Sequence, residues 1–285
     1  MKKKLQFQFR NKKMTMGSKT IVMGILNVTP DSFSENAENF FVKNAITSAL
    51  SMINCGADII DIGGESSRPG AEPVSAKEEI ERTIPVIKRL RKLSNIPISI
   101  DTWKSSVAEE AIKNGADIIN DISGFHRDEN MKSIAARTNS GCIAMHMRGT
   151  SKTMQSKENL EYDDLIEEIL TYFQKTVDML IDCGIKPTSI VLDPGIGFSK
   201  TVKQNLLLLR NLSKIRELGF PILAGISRKS FIGQILDIKD PKERIWGTAG
   251  AAVCSSIFGA DIQRVHDVKE ISEALKISDA IITGV

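Results

Sequence analysis

Three segments of the chain repeat one phrase: Cys55-Gly-Ala-Asp-Ile-Ile-Asp-Ile-Gly63, Asn114-Gly-Ala-Asp-Ile-Ile-Asn-Asp-Ile122 and Phe258-Gly-Ala-Asp-Ile-Gln-Arg-Val-His266. Each runs from a helical pattern through a glycine to a short apolar stretch and then a polar tip. Glycine ends a helix at such a point because it takes the left-handed backbone without strain. A short apolar run after that stop suits a strand buried on both faces, as in parallel sheets. The phrase is the αβ half of a βα unit, and its recurrence predicts an array of such units.

The same grammar places further strands at Ile21 to Asn27, Pro97 to Asp101, Cys142 to His146, Ile190 to Asp193 and Pro221 to Ile226, which brings the count to eight. Helical patterns fill the gaps at roughly 42–54, 77–93, 105–114, 128–138, 160–182, 203–218, 243–257 and 268–281, the second opened by a capping box at Ser75-Ala-Lys-Glu78. Eight alternating units in 285 residues, 41% of them hydrophobic, predict an α/β chain closed into a (β/α)8 TIM barrel. A doubly wound sheet would carry a Gly-x-Gly-x-x-Gly turn after its first strand, and there is none. Residues 1–20 are expected to form a separate β-hairpin extension, with 21–285 as one domain. Leu5, Phe7 and Phe9 alternate there, Met14 to Lys19 reads as the turn-rich break, and the hairpin is expected to cover the bottom of the barrel.

Composition narrows the function classes. A net charge of +3 arises from scattered lysines and arginines with no basic stripe interleaved with aromatics, so no nucleic-acid partner is expected. Cys55, Cys142, Cys183 and Cys254 show no paired spacing and read as apolar residues of a reducing compartment. No apolar run reaches about 18 residues, so no membrane span is expected and the location should be cytoplasmic.

Active sites of such barrels lie where the strands end. The strand ends read, in order, Asn27, Asp61, Asp101, Asn120 with Asp121, Met145 with His146, Asp193, Lys229, and Arg264 with His266. Lys229 alone could be a solvated loop lysine, and Asp101, ahead of Thr102 and Ser105, could cap a helix. Together the tips suit a two-sided site. Asp101, Asn120 and Asp193 offer acceptors and donors for the edge of a planar heterocycle, and Lys229 can meet an anion or donate to a carbonyl. Gly225 leaves it room, and Ile122, Met145 and Phe198 can sandwich its faces. Arg264 and His266, two apart on one strand, can grip an anionic leaving group, with Asn27 available to an oxygen or a metal-bound water.

Eight stretches resemble the motifs of the dihydropteroate synthase family, in the family's order over about residues 21–270. They are Asn27-Val-Thr-Pro-Asp-Ser-Phe-Ser34, Asp61-Ile-Gly-Gly-Glu-Ser-Ser-Arg-Pro-Gly-Ala71, Ile100-Asp-Thr102, Ile119-Asn-Asp-Ile122, Met145-His-Met-Arg-Gly-Thr150, Leu192-Asp-Pro-Gly-Ile-Gly-Phe198, Ser227-Arg-Lys-Ser-Phe-Ile-Gly233 and Arg264-Val-His-Asp-Val268. The resemblance implies a barrel enzyme of folate biosynthesis, a sulfonamide target and usually a homodimer. It would join p-aminobenzoate to 6-hydroxymethyl-7,8-dihydropterin diphosphate with Mg²⁺. It implies Asp101, Asn120, Asp193 and Lys229 on the pterin, and Asn27, Arg264 and His266 on the diphosphate and its metal. Phe33, Ser67, Arg68, Pro69 and Ser227 would border the aminobenzoate, and Asp101, Lys229, Arg264 and His266 would carry the chemistry. A pterin-dependent methyltransferase barrel and a non-catalytic pterin-binding barrel are the alternatives. The family commonly has Asp-Gly-Gly after Asp-Ser-Phe-Ser, where this chain has Glu35-Asn-Ala-Glu-Asn-Phe-Phe41. The segment Thr29 to Asn39 is expected to be a loop that closes over bound ligand.

Overall fold

The computed structural model describes residues 3–28, 35–66 and 70–284. A hairpin of β1 (Leu5–Phe9) and β2 (Lys12–Met16) leads into β3 (Ile21–Asn27), α1 (Glu35–Asn54), β4 (Ile59–Gly63), α2 (Ala76–Leu93), β5 (Ile98–Asp101) and α3 (Ser105–Lys113). Then follow β6 (Ile118–Asp121), α4 (Asn130–Thr138), β7 (Gly141–Met145), α5 (Lys157–Leu160), α6 (Leu165–Asp182) and β8 (Ile190–Asp193). The chain ends through α7 (Val202–Arg210), α8 (Leu212–Arg216), β9 (Leu223–Ala224), α9 (Ser230–Leu236), α10 (Ile245–Ile257), β10 (Ile262–Val265) and α11 (Val268–Thr283).

Strands β3 to β10 form one parallel sheet in the order β8-β7-β6-β5-β4-β3-β10-β9. Its two edges meet through a parallel bridge between Leu192 and Ile222, so the sheet closes into a barrel as expected. The outer faces of the strands pack on the helices in one large apolar core. A second core fills the lower barrel, where Phe7, Phe9 and Met16 of the hairpin lie against Ile59, Ile118, Ile143, Val191 and Ile262. The hairpin thus seals the amino end of the barrel, as its alternating apolar residues suggested. Its turn differs: β1 pairs with β2 in the register Phe9↔Lys12, so the chain reverses at Arg10 and Asn11. Met14 to Met16 are strand, because Met16 has a place in the lower core.

The aspartates of the repeated phrase have one structural task. Asp58 accepts from Val22 N at 3.0 Å, Asp117 from Ile98 N at 3.0 Å and Asp261 from Ile222 N at 3.1 Å, in each case at the start of the neighbouring strand. Each also meets a cation, namely Lys19, Lys12 with Arg91, and Arg216 respectively. The glycine two residues earlier is left-handed in all three, with φ of 102, 114 and 130°. The phrase therefore stitches adjacent strands at the bottom of the barrel. Asp117→Ala should lower the unfolding free energy by about 1–3 kcal/mol, because the buried Ile98 N–H loses its acceptor, while substrate affinities stay unchanged; urea titration with binding calorimetry checks both.

Several boundaries moved for local reasons. α1 begins at Glu35, not near 42, so part of the segment expected as a loop is helical, and residues 29–34 lie outside the described residues. Asp164 caps α6 by accepting from Ile166 N and Glu167 N, which splits the pattern expected over 160–182. Ser75 caps α2 as predicted, but Glu78 turns to Arg82 instead of completing the box; the full capping box is at Thr201 and Gln204. α9 was not anticipated, since the polar run Ser227 to Ser230 masked its start.

Candidate active site

Successive side chains of a strand face opposite ways, so residues two apart share the barrel interior. Two positions beyond Ile59, Ile118, Ile143, Val191, Leu223 and Ile262 of the lower core stand Asp61, Asn120, Met145, Asp193, Gly225 and Arg264. Asp101 joins this upper layer beside Asn120, with which it pairs in register. The interior thus changes from apolar to polar within one layer, and the floor of the mouth carries three carboxylates and one guanidinium.

Arg264 Nε donates to Asp61 Oδ2 at 2.6 Å and Nη2 to Asp101 Oδ2 at 2.5 Å. Asn120 Nδ2 donates to the same Asp61 oxygen at 3.2 Å. Asp61, Asn120 and Arg264 occupy the same position in the three repeated phrases, three residues after the stitching aspartate. One cation shared by two carboxylates leaves a surplus negative charge. Burial, with the charge of Asp61 added and that of Arg264 opposing, pushes Asp101 up to about 7. Burial disfavours the Arg264 cation, but Asp61 and Asp101 outweigh it and hold its pKa above the ordinary value.

Across the mouth, Asp193 Oδ1 accepts from Gly195 N at 2.8 Å, and burial raises its pKa against the pull of Lys229 and Arg264. A Cβ on Gly225 would lie 3.9 Å from Asp193 Oδ2, so this carboxylate oxygen borders the open side of that glycine. Lys229 Nζ lies 4.0 Å from the centroid of the Phe198 ring, and its stem passes so close to Gly197 that a Cβ there would approach Cδ to 2.8 Å. Ser227 Oγ accepts from His266 N at 3.1 Å and meets His266 Nδ1 at 3.0 Å. Arg228, between Ser227 and Lys229, is held by Asp267 through Nε at 2.9 Å and Nη2 at 2.5 Å.

The barrel therefore brings together Asp101, Asn120 and Arg264 in one group, Asp193, Phe198, Gly225 and Lys229 in a second, and Ser227 with His266 in a third. Met145 is buried in the same layer and Ile122 just beyond β6, while Asn27 ends β3 exposed. Phe33, Ser67, Arg68 and Pro69 lie outside the described residues. Arg264, expected on the anion, has its guanidinium on the carboxylates. His146 does not join the mouth: it is buried behind β7, with Lys200 Nζ 3.1 Å from Nδ1. Asp61 was legible as a strand tip but received no role, although its shared position with Asn120 and Arg264 was the available signal. A buried lysine, Lys104, between Glu65 and Glu79 at 2.5 Å each went unnoticed because its partners lie on α2 and in the loop after β4.

The family model described as pterin binding enzyme matches residues 23–266. The chain is 53% identical over 266 residues, 93% of its length and 91% of the relative's, to a dihydropteroate synthase of Synechocystis. Its fold is similar, at a TM-score of 0.86 and 45% identity, to a Clostridium difficile dihydropteroate synthase solved in the presence of pteroic acid, covering 93% of this chain and 98% of that one. A Yersinia pestis dihydropteroate synthase solved with a sulfonamide drug is similar at a TM-score of 0.90 and 40% identity, covering 98% and 100%.

Proposed function

The chain belongs to the pterin-binding enzyme family, among its dihydropteroate synthases, and we infer from that premise how its rim condenses 6-hydroxymethyl-7,8-dihydropterin diphosphate with p-aminobenzoate. The observation that carries the reading is the upper layer of buried Asp61, Asn120 and Asp193 with half-buried Asp101 and Arg264, above an apolar lower core. A planar heterocycle entering there meets acceptors for its N–H groups and donors for its carbonyl. Asp193, Asn120 and Lys229 hold its edge, and Met145, Ile122 and Phe198 cover its faces.

Departure of diphosphate from a carbon attached to the electron-rich pterin leaves a resonance-stabilised cation. Asp101 and Asp193 lie on the side of that positive charge. His266 and Asn27 take the departing anion, and Arg264 stands between the two sides, two residues before His266 and bonded to Asp101. The aminobenzoate enters beside Ser227. Among the described residues no cluster of three or more acidic, histidine or cysteine side chains could hold a metal, whereas Asn27, exposed at the end of β3, carries an amide oxygen. Mg²⁺ commonly takes one or two protein oxygens and completes its shell with phosphate and water, so this donor set fits a cation that arrives with the diphosphate and rests on Asn27. When bound it supplies charge neutralisation to the leaving group. The test is formation of dihydropteroate with one diphosphate released per condensation, expected only with both substrates present; diphosphate release without dihydropteroate when both are supplied would contradict the reading.

The pH dependence follows from Asp101. Its carboxylate is needed beside the developing cation, and in the free protein it gains that charge only as pH rises through about 7. The value of kcat/KM for the pterin diphosphate should therefore climb across pH 6–8, and Asp101→Asn should remove the climb. A profile unchanged by Asp101→Asn would sink the assignment.

We also propose a cytoplasmic homodimer. No helix among the described residues is long and apolar enough to cross a membrane, and the four cysteines are unpaired. Trp246 of α10 is 79% exposed, and Ile257 of α10 and Ile277 and Ile281 of α11, which packs against α10, are exposed as well. Large apolar side chains grouped in this way suit an interface with a second copy. Trp246→Glu with Ile281→Glu should convert a dimer into a monomer in light scattering; an unchanged mass would place the interface elsewhere.

A further inference from the structure

Lys200, between β8 and α7, is 4% exposed and has no part in the chemistry above. Its amine donates to the carbonyls of Gly195 at 3.2 Å and Phe198 at 3.0 Å, and meets His146 Nδ1 at 3.1 Å. An ammonium has three N–H donors, and here three acceptors surround it. Burial of His146 holds its pKa well below the ordinary value, with Lys200 adding to the effect, so the imidazole is neutral and able to accept at Nδ1.

The loop around this amine is tightly wound. Gly195, Gly197 and Ser199 are left-handed with φ of 68, 81 and 45°, and a Cβ at Gly195 would fall 2.0 Å from the carbonyl oxygen of His146. The glycines take this path without strain, and Ser199 is the residue held in a costly backbone conformation. The other side of the same loop faces the mouth: Gly195 N holds Asp193, Phe198 lies against the Lys229 amine, and Gly197 backs the Lys229 stem.

We propose that Lys200 is a positioning residue for the pterin wall, holding Gly195 and Phe198 by their carbonyls so that Asp193, Phe198 and Lys229 are already in place when the heterocycle arrives. The proposal rests on the reading of these three residues as pterin contacts. Burial lowers the Lys200 pKa to about 7 while Asp193 opposes the shift and Lys229 and Arg148 add to it. The three-acceptor geometry favours the ammonium, since a neutral amine has only two donors.

The test compares Lys200→Met, Lys200→Gln and Phe198→Ala, with folding checked by urea titration. For Lys200→Met the dissociation constant of the pterin diphosphate should rise about tenfold, the effect of about 1.4 kcal/mol of lost preorganisation. The KM for p-aminobenzoate at saturating pterin diphosphate should stay within about twofold of wild type, because that substrate does not touch this wall. Glutamine, with two donors and no charge, should fall between methionine and wild type, and it carries the test if the methionine variant does not fold. Weaker binding in Phe198→Ala with wild-type affinity in the folded Lys200 variants would overturn the role of Lys200. A parallel rise in both substrates' constants would also overturn it, as general loosening. Wild-type affinity in all three variants would overturn the pterin-wall reading beneath it.

Discussion

Arg264→Ala is expected to cost the fold about 3–5 kcal/mol and turnover at least about 10²-fold. The guanidinium is the hydrogen-bonded cation of both Asp61, which is fully buried, and Asp101. Among the described residues Asp61 Oδ1 already has no hydrogen-bond partner, so removal of the cation leaves two carboxylates facing each other in a low-dielectric layer. The sign with pH is fixed. Without Arg264 the folded-state pKa of Asp101 rises further above its unfolded value, so the remaining stability is present at low pH and lost as pH rises through the folded value. Denaturant titrations at pH 5.5 and 8 should show the larger deficit at pH 8. Because Arg264 holds Asp101, the variant should also weaken binding of the pterin without its diphosphate. A deficit independent of pH, or a loss confined to the diphosphate-bearing ligand, would contradict this and return Arg264 to the anion side alone.

Asp193→Ala should weaken the pterin diphosphate by at least about 100-fold, since each buried N–H of the heterocycle left without an acceptor costs about 1–3 kcal/mol. No neighbour can replace this carboxylate. Asp61 and Asp101 are bound to Arg264, and Gly225 on the adjoining strand has no side chain. Asp193→Asn should bind almost as poorly, because its amide turns a donor toward a donor unless it gives up its bond from Gly195 N. Calorimetric affinity within threefold of wild type for either variant would remove Asp193 from the pterin contacts. Gly195 N loses its partner in the alanine variant, so circular dichroism and urea titration must accompany the binding data.

How much of the site was legible depended on how far each signal reaches. Asn120, Asp193 and Arg264 could be named because each stands two residues beyond an apolar interior position of its own strand, and that spacing is local; Asp101 stands two beyond Ser99 and was legible as the polar end of its strand. His146 was grouped with Met145 at the same strand end, yet alternation turns it outward to Lys200. Lys200 itself looked like any polar residue ahead of a helix, since its acceptors are a ring nitrogen 54 residues away and two backbone carbonyls. The pairing of Arg264 with carboxylates instead of an anion had no signal either, because charge alone suits both.

Local patterns along the chain were enough for the alternation of strand and helix, the eight strands, the apolar hairpin below and the end of the barrel at which polar residues gather. These follow from periodicity, glycine stops and the rule that strands bury apolar residues at fixed spacing, all of which act over a few residues. Which tips touch depends on the closed barrel. Arg264 reaches Asp61 across 203 residues and Asp101 across 163, and it does so because β10 pairs with β3, β3 with β4 and β4 with β5 in one register. Barrel closure sets that register through the stagger of all the strands at once, a property of the closed sheet that no single stretch of the chain encodes.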